Sequence, residues 1–255
     1  MAEQSNLISF VLIMGEKIEV ILVDIGNTRT KCSEVINGEI GDIRIFENIQ
    51  ACLAAYATAI PMMISSVVSL PEELLEGRQF LSLDHKTKLP IEIDYKTPET
   101  LGPDRLAAAV GACYHYPREN NLVIDIGTCM TIDLVDKRGI YQGRVISPGL
   151  AMRMRAMHHY SGKLPDISDE WISIEVNKVG KSTKECLLSG AFLGMLNELN
   201  ATMDGFYDEF TSINIIITGG DAHFFESKLK APIFAGSKIV QEGLYCIWKN
   251  AVKRD

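Results

Sequence analysis

The chain has 255 residues, of which 47% are hydrophobic and 23% charged, and its formal net charge is −8 at pH 7. These values are ordinary for a soluble protein of one large or two modest domains. The acidic balance argues against broad binding to nucleic acid, which needs a basic face, and no apolar run reaches the ~18 residues of a membrane span. The six cysteines include no C-x-x-C pair, which favours reduced thiols in a cytoplasmic protein.

The N-terminal residues 7–14 are apolar, but the run is short. It has no basic region before it and no small-residue cleavage site after it, so a signal peptide is not indicated. We expect the residues before Glu16 to be an extension of the folded part.

The most informative stretch is residues 20–31, VILVDIGNTRTK. Four apolar residues lead into Asp24, which predicts a buried strand that ends in a tight turn. Gly26 allows the backbone to approach a ligand or to take a positive φ. The turn N–H groups and the polar side chains that follow are typical of an anion-binding concavity. These side chains are Asn27, Thr28, Thr30 and Lys31.

The same pattern occurs again in residues 121–133, NLVIDIGTCMTID. Asp125-Ile126-Gly127 repeats Asp24-Ile25-Gly26, and Thr131 matches Thr30 at the same offset. Two copies of one strand–turn–strand pattern predict a duplicated fold.

The first half of the chain predicts alternating strands and helices. After the strand that begins at Val20, strands are expected at residues 32–36, 40–46, 62–68 and 80–83, and helices at 47–59, 71–77 and 105–116. Asn37-Gly38 predicts a hairpin turn between the second and third strands. This order is typical of a ribonuclease-H-like unit, so residues 1–118 are predicted to form an N-terminal domain.

The second half repeats this order, so residues 119–255 are predicted to form a C-terminal ribonuclease-H-like domain. Strands are expected at residues 121–126, 130–135, 141–146, 213–218 and 232–234, and helices at 150–159, 184–210, 224–229 and 244–252. Gly190 and Gly194 share one face of the long helix, which is compatible with dimerisation and equally with packing inside the chain.

Three further motifs contain residues that suit either a structural or a functional role. In Gly102-Pro103-Asp104-Arg105, Asp104 is either a helix N-cap beside a surface arginine, or a proton acceptor beside an arginine that orients an anionic substrate. Gly219-Gly220 after a buried strand suits an adenine or ribose and also a plain turn. Residues 180–183 favour an N-cap hydroxyl, and they are not a Walker A loop because Glu175 stands where that loop needs glycine.

Taken in order, these motifs resemble the type III pantothenate kinases, from about Ile18 onward. The resemblance is carried by Asp24 to Lys31, Gly102 to Arg105, Asp125 to Thr128, Pro148-Gly149, Thr183 and Thr218 to Gly220. This family belongs to the acetate and sugar kinase/Hsp70/actin superfamily. The resemblance implies an α/β fold of two ribonuclease-H-like (actin-like ATPase) domains with a nucleotide cleft between them. It also implies ATP-dependent phosphorylation of pantothenate to 4′-phosphopantothenate, the first step of coenzyme A biosynthesis.

The resemblance also implies roles for particular residues, with a metal–ATP complex held by the two Asp-x-Gly turns. Asp104 matches the general base. The residues implied to bind ATP are Asp24, Ile25, Gly26, Asn27, Thr28, Arg29, Thr30, Lys31, Thr128, Gly219 and Gly220. Those implied to bind pantothenate are Tyr95, Gly102, Pro103, Asp104, Arg105 and Thr183, and Thr183 reaches it from a partner subunit, which implies a homodimer.

Asp125 resembles a ligand of a monovalent cation, potassium or ammonium, and Mg²⁺ is expected to accompany ATP. Cys129-Met130 and Gln142 depart from the residues usual in the family, which puts the nucleotide fit in question. Two alternatives stay open at this point. One is another small-molecule kinase or phosphatase of the superfamily, and the other is a regulatory accessory protein, although the acidic charge argues against DNA binding.

Overall fold

The computed structural model describes residues 18–230 and 232–252, and the predicted N-terminal extension lies outside them. This part of the chain contains twelve strands and six α-helices. The strands are β1 (Ile18–Ile25), β2 (Thr30–Ile36), β3 (Glu39–Ile40), β4 (Arg44–Phe46), β5 (Met62–Ser66), β6 (Phe80–Ser82), β7 (Glu92–Ile93), β8 (Asn121–Ile126), β9 (Cys129–Val135), β10 (Ile140–Pro148), β11 (Asn214–Thr218) and β12 (Phe234–Ala235). The helices are α1 (Ile49–Ala54), α2 (Pro103–His115), α3 (Leu150–His159), α4 (Thr183–Glu209), α5 (His223–Glu226) and α6 (Ile239–Val252).

The chain forms two compact units, each built on a sheet with the same strand order. The described residues up to His115 and from Lys238 onward form the first unit, and Tyr116–Ser237 forms the second. The first sheet contains the order β3-β2-β1-β5-β6 and the second the order β10-β9-β8-β11-β12. In both, the second strand runs antiparallel to the central strand and the fourth runs parallel to it. The predicted duplication and α/β fold class are therefore confirmed.

The central strand of each sheet is buried on both faces, which explains its continuous apolar sequence. Val20, Ile21, Leu22 and Val23 of β1 are all fully buried. In the first unit, β1 and β5 pack with α1 into one apolar core. In the second unit, the core lies between the sheet and the helices α3 and α4.

Helix α6 belongs to the first unit, whereas the predicted domain ranges placed all residues after 118 in the second domain. The reason is a close helix crossing. A Cβ added at Gly243 would overlap the carbonyl oxygen of Ala107, and a Cβ at Gly111 would overlap that of Ile239, so both helices need glycine at the crossing. Sequence periodicity does not show which unit such a helix joins.

Local structure follows the predictions closely at turns and less closely at short elements. Asn37 and Gly38 have φ angles of 53° and 83°, as the predicted hairpin turn requires. The predicted third strand is divided into β3 and β4 because the Gly41 N–H donates to the Glu34 carbonyl oxygen, at 2.8 Å, and bends the chain. The predicted helix at residues 71–77 is only a 3-10 turn, Glu72–Leu75, whose N-cap residue gives no side-chain hydrogen bond.

The glycine pair of α4 is not used for packing among the described residues. A Cβ added at Gly190 or Gly194 would meet nothing within 4 Å, and both positions are exposed. Within residues 18–230 and 232–252, no helix combines the length and the hydropathy that crossing a membrane would require.

The crossing of α2 and α6 is testable by adding a single methyl group. We expect Gly243→Ala to lower the free energy of unfolding by about 2 kcal/mol or more, because the new Cβ overlaps main chain that has no room to move. Urea unfolding measures this change. The matched control is Gly205→Ala in α4, where nothing lies within 4 Å of an added Cβ, and alanine there should be neutral or stabilising by up to about 1 kcal/mol. Equal effects of the two substitutions would contradict the close crossing.

Candidate active site

The first Asp-x-Gly turn connects β1 to β2 at the carboxyl end of the central strand. The Gly26 N–H donates to the Arg29 carbonyl oxygen at 3.1 Å and closes the turn. The side chains of Asn27, Thr28 and Arg29 are exposed. Gly26 does not have a positive φ, so of the two expectations for this glycine only close backbone approach remains.

Asp24 lies in a row of polar side chains that crosses three strands. It pairs in register with Lys31 of the antiparallel strand β2 and with Ser65 of the parallel strand β5. Register partners point to the same face of a sheet, so the three side chains lie side by side. The Ser65 hydroxyl donates to Asp24 Oδ1 at 3.3 Å, and both side chains are buried.

The match of Thr30 with Thr131 in the sequence does not extend to the strand pairing. Thr131 pairs with Asp125, but the partner of Asp24 is Lys31, whereas Thr30 pairs with Ile25. Residues 26–29 separate the last paired residues of the first turn, Ile25 and Thr30, whereas only residues 127–129 separate Ile126 and Met130. The extra residue in the first turn moves the register by one position. The Thr30 side chain consequently faces the core and is only 1% exposed.

The Asp24 carboxyl is in an environment that disfavours its charge. Burial, together with the negative charge of Asp104, raises the pKa of Asp24 from 3.8 to about 6. The positive charge of Lys31 and the hydrogen bond from Ser65 act in the opposite direction. Asp104 lies in the first turn of α2, which packs against β5, the strand beside β1.

The structure does not show Asp104 as a helix N-cap beside a surface arginine. Helix α2 begins at Pro103, so Asp104 lies inside its first turn and is not the N-cap. Arg105 is 8% exposed and is therefore not a surface residue. The Arg105 N–H donates to Asp104 Oδ1 at 2.8 Å, and a Cβ on Gly102 would lie 2.5 Å from the same oxygen. The glycine thus leaves the space that the Asp104 carboxylate occupies.

Tyr95 lies in the same unit, between β7 and the 3-10 turn Pro98–Thr100 that precedes α2. Its side chain is partly exposed. The first unit therefore contains the first turn, Asp104, Arg105 and Tyr95.

In the second unit, three chain segments meet at the end of β8. The Gly127 N–H donates to the Cys129 carbonyl oxygen at 2.9 Å and closes the second turn. The Gly149 N–H donates to the Thr128 carbonyl oxygen at 3.1 Å, and a Cβ on Gly149 would overlap this turn. Pro148-Gly149 therefore packs directly against the second turn.

The third segment is Gly219–Asp221, which follows β11. Gly219 has a φ of 102°, and a Cβ there would lie 2.5 Å from Asp125 Oδ1, so only glycine fits. The Asp221 N–H donates to the Ile126 carbonyl oxygen at 3.0 Å, and Gly220 is open to solvent. The second unit thus brings Asp125, Thr128, Gly219 and Gly220 together.

The row around Asp24 has a counterpart around Asp125. Asp125 pairs in register with Thr131 of β9 and with Thr218 of β11, which is 5% exposed. Both units therefore place a hydroxyl residue of the parallel neighbour beside the central aspartate. Ser65 is part of no recognisable sequence motif, although the strand order of a ribonuclease-H-like unit puts the end of β5 beside the end of β1.

The predicted N-cap before α4 is confirmed, and it is Ser182. Its hydroxyl oxygen accepts from the Glu185 N–H at 3.3 Å, while the Glu185 carboxylate accepts from the Lys181 N–H at 2.8 Å. Thr183 is the first residue of α4 and its side chain is exposed.

None of the departures from the family pattern removes a hydrogen bond that closes a turn. Met130 is fully buried and fills the core of the second unit. Gln142 lies in an irregularity of β10, and its Nε2 donates to Asp136 Oδ2 at 3.4 Å. Cys129 supplies the carbonyl oxygen that closes the second turn, which any residue provides.

The fold and the two turns define the class of the protein. A Sinorhizobium meliloti structure described as a 2-dehydro-3-deoxygalactonokinase aligns with a TM-score of 0.56 and 12% identity over 91% of this chain and 99% of its own. A Campylobacter jejuni structure described as a Baf family transcriptional activator aligns with a TM-score of 0.63 and 23% identity, over 91% of this chain and 99% of its own. The chain therefore has the α/β fold of these two structures, one of which is described as a kinase.

Sequence relationships give the family. The family model for type III pantothenate kinase matches residues 20–204. A type III pantothenate kinase from Cytophaga hutchinsonii is 36% identical over 228 residues, which cover 88% of this chain and 96% of that protein. One from Phocaeicola vulgatus is 36% identical over 233 residues, 88% of this chain and 95% of its own. The chain belongs to the type III pantothenate kinase family.

The raised pKa of Asp24 predicts a pH-dependent cost to stability. The Asp24 carboxyl binds its proton more tightly in the folded protein than in the unfolded chain. The contribution of Asp24 to the free energy of unfolding is therefore most favourable at low pH and is lost as the pH rises from about 4 through about 6. We expect the gain in unfolding free energy from Asp24→Asn to be larger at pH 8 than at pH 4.5, by about 2 kcal/mol. Urea unfolding at the two pH values measures the difference.

The control is Asp84→Asn. Burial acts to raise the pKa of Asp84, but hydrogen bonds from Thr87 and Lys86 outweigh it and lower the pKa. The effect of Asp84→Asn on the free energy of unfolding should therefore change with pH in the opposite direction. If Asp24→Asn changed the free energy of unfolding by the same amount at both pH values, Asp24 would ionise normally in the folded protein.

Proposed function

We propose that this protein transfers the γ-phosphoryl group of ATP to the primary hydroxyl of pantothenate. The product is 4′-phosphopantothenate, at the first step of coenzyme A biosynthesis. Membership of the family supports the substrate. The observation that carries the chemistry is that α2, whose first turn contains Asp104, packs against β5, the strand beside β1, so a proton acceptor and a phosphate-binding turn share one unit.

The first turn is proposed to hold ATP phosphates through its backbone and exposed side chains. Asn27 and Thr28 offer an amide and a hydroxyl, and Arg29 and Lys31 offer positive charge. Ile25, Gly26 and Thr30 are proposed to contribute through the backbone shape that the β1–β2 pairing imposes, and Asp24 through its ionised carboxylate at the start of the turn. Donors fixed in this way stabilise the charge of the transferring phosphoryl group without reorganisation.

The second unit is proposed to bind the remainder of the nucleotide. Thr128 is exposed at the second turn, and its hydroxyl suits a phosphate oxygen. Gly219 and Gly220 are proposed to receive the adenosine, because Gly220 presents bare backbone on which a flat group can lie.

Pantothenate is proposed to bind at the start of α2. Asp104 accepts the proton of the attacking hydroxyl, while Gly102 and Pro103 fix the position of its carboxylate. Arg105 is proposed to bind the pantothenate carboxylate and Tyr95 to contact its chain. Thr183 is proposed to reach the substrate of a partner subunit in a homodimer, and its exposure at the start of α4 is compatible with this role.

The two proposed cations bind in different ways, one to protein oxygens and the other to ATP. The residues that the structure describes contain no group of three His, Cys, Asp or Glu side chains placed to hold a metal ion. Asp125 with nearby carbonyl oxygens suits a weakly bound monovalent cation, K⁺ or NH₄⁺, because such cations prefer oxygen ligands. Mg²⁺ is proposed to arrive with ATP, where it neutralises phosphate charge. We place the enzyme in the cytoplasm.

The test is ADP formation with ATP, Mg²⁺ and K⁺, with and without pantothenate. We expect turnover that depends on pantothenate, and we expect Asp104→Asn to reduce kcat by about 100-fold or more, because a general base contributes about 10²–10⁴ in rate. The control is Asp42→Asn, which removes an exposed carboxylate whose ion pair with Lys238 contributes little.

Two results would contradict parts of this proposal. Full activity of Asp104→Asn would exclude Asp104 as the base while leaving the kinase intact. ATP binding without any dependence on pantothenate, in a folded protein, would favour another substrate of the same fold, and a panel of small alcohols would identify it.

A further inference from the structure

Ser65 occupies a position in β5 where a polar residue needs a partner. The three residues before it, Met62, Met63 and Ile64, are apolar and fully buried, and Ser65 itself is 0% exposed. A buried hydroxyl is costly unless it makes a hydrogen bond. The Ser65 hydroxyl makes one with Asp24 Oδ1, at 3.3 Å.

The strand pairing fixes this contact. Asp24 and Ser65 are register partners in the parallel pair of β1 and β5, near the carboxyl ends of both strands. The neighbouring hydroxyl, Ser66, is used differently, because it donates to the Val68 carbonyl oxygen at 2.7 Å within its own turn. Of the two adjacent serines, Ser65 is therefore the one directed at the first turn.

We propose that Ser65 is a positioning residue, which holds the Asp24 carboxylate in the orientation and charge state that the first phosphate turn requires. For the role of Asp24 this inference rests on the proposed function. The second unit repeats the arrangement, since Thr218 is the buried register partner of Asp125. A hydroxyl beside the central aspartate is thus a feature of both copies of the fold.

The physical basis is the balance of groups that act on Asp24. Burial and the charge of Asp104 on α2 oppose ionisation, whereas Lys31 on β2 and Ser65 on β5 favour it. A hydroxyl that donates to a carboxylate stabilises its charged form. Without Ser65, Asp24 keeps its burial and its acidic neighbour but loses one of two groups that offset them.

The experiment compares Ser65→Ala with Ser65→Thr, which keeps the hydroxyl. The first readout is the carboxyl ¹³C titration of Asp24 in the nucleotide-free protein, assigned with Asp24→Asn. We expect Ser65→Ala to raise the pKa of Asp24 by about half to one pH unit and Ser65→Thr to leave it near the wild-type value. The matched control is Ser66→Ala, which removes the adjacent hydroxyl and should leave this titration unchanged.

The second readout is the pH profile of pantothenate-dependent kcat/KM. Ser65→Ala should move the acid limb to higher pH, with a loss of about two- to fivefold near pH 6 and little loss above pH 8. A merely structural defect would lower the profile at every pH, and Ser65→Thr should restore the wild-type limb.

Three outcomes would overturn the proposal. An unchanged Asp24 titration in Ser65→Ala would show that the hydroxyl does not control the carboxylate. A changed titration with an unmoved acid limb would show that this control does not matter for the reaction. A loss in Ser65→Thr equal to that in Ser65→Ala would assign the effect to packing. Absence of pantothenate-dependent turnover in the wild type would contradict the proposed function instead, because the NMR titration uses no substrate.

Discussion

The feature on which the rest of the structure depends is an aspartate at the buried end of a central strand, placed once in each unit. A carboxylate in this position is expensive, and burial raises the pKa of Asp24 to about 6. The sheet compensates by placing polar partners on both neighbouring strands, Lys31 and Ser65 around Asp24, and Thr131 and Thr218 around Asp125. The turn that follows each aspartate is therefore attached to a rigid, fully paired strand.

The duplication explains how the binding elements are supported. The first turn is closed by its own hydrogen bond and lies in the same unit as α2, which carries Asp104. The second turn is braced by Gly149 and by Gly219, neither of which has room for a side chain. The same frame thus supports a site with a nearby proton acceptor in one unit and a site with bare glycine backbone in the other. This difference between the copies underlies the division of substrate and nucleotide contacts that we propose.

Much of this was predictable from local sequence. The apolar run before Asp24 and its repeat before Asp125 indicated two copies of one sheet, because buried central strands need continuous apolar residues. Other features depend on tertiary contacts and could not be predicted from local sequence. The difference between Lys31 and Thr30 as partners of Asp24 follows from turn length. The burial of Arg105 and the return of α6 to the first unit follow from helix packing, and Ser65 becomes informative only when β5 is placed beside β1.

The most direct test of the proposed phosphoryl transfer is ³¹P NMR of the products formed from ATP, Mg²⁺, K⁺ and pantothenate. We predict a new phosphomonoester resonance, split by the two protons of the adjacent CH₂ group, that grows in step with ADP. Release of inorganic phosphate alone, without the ester, would contradict the account, because it would show a turn that hydrolyses ATP in place of one that directs the phosphoryl group to an alcohol.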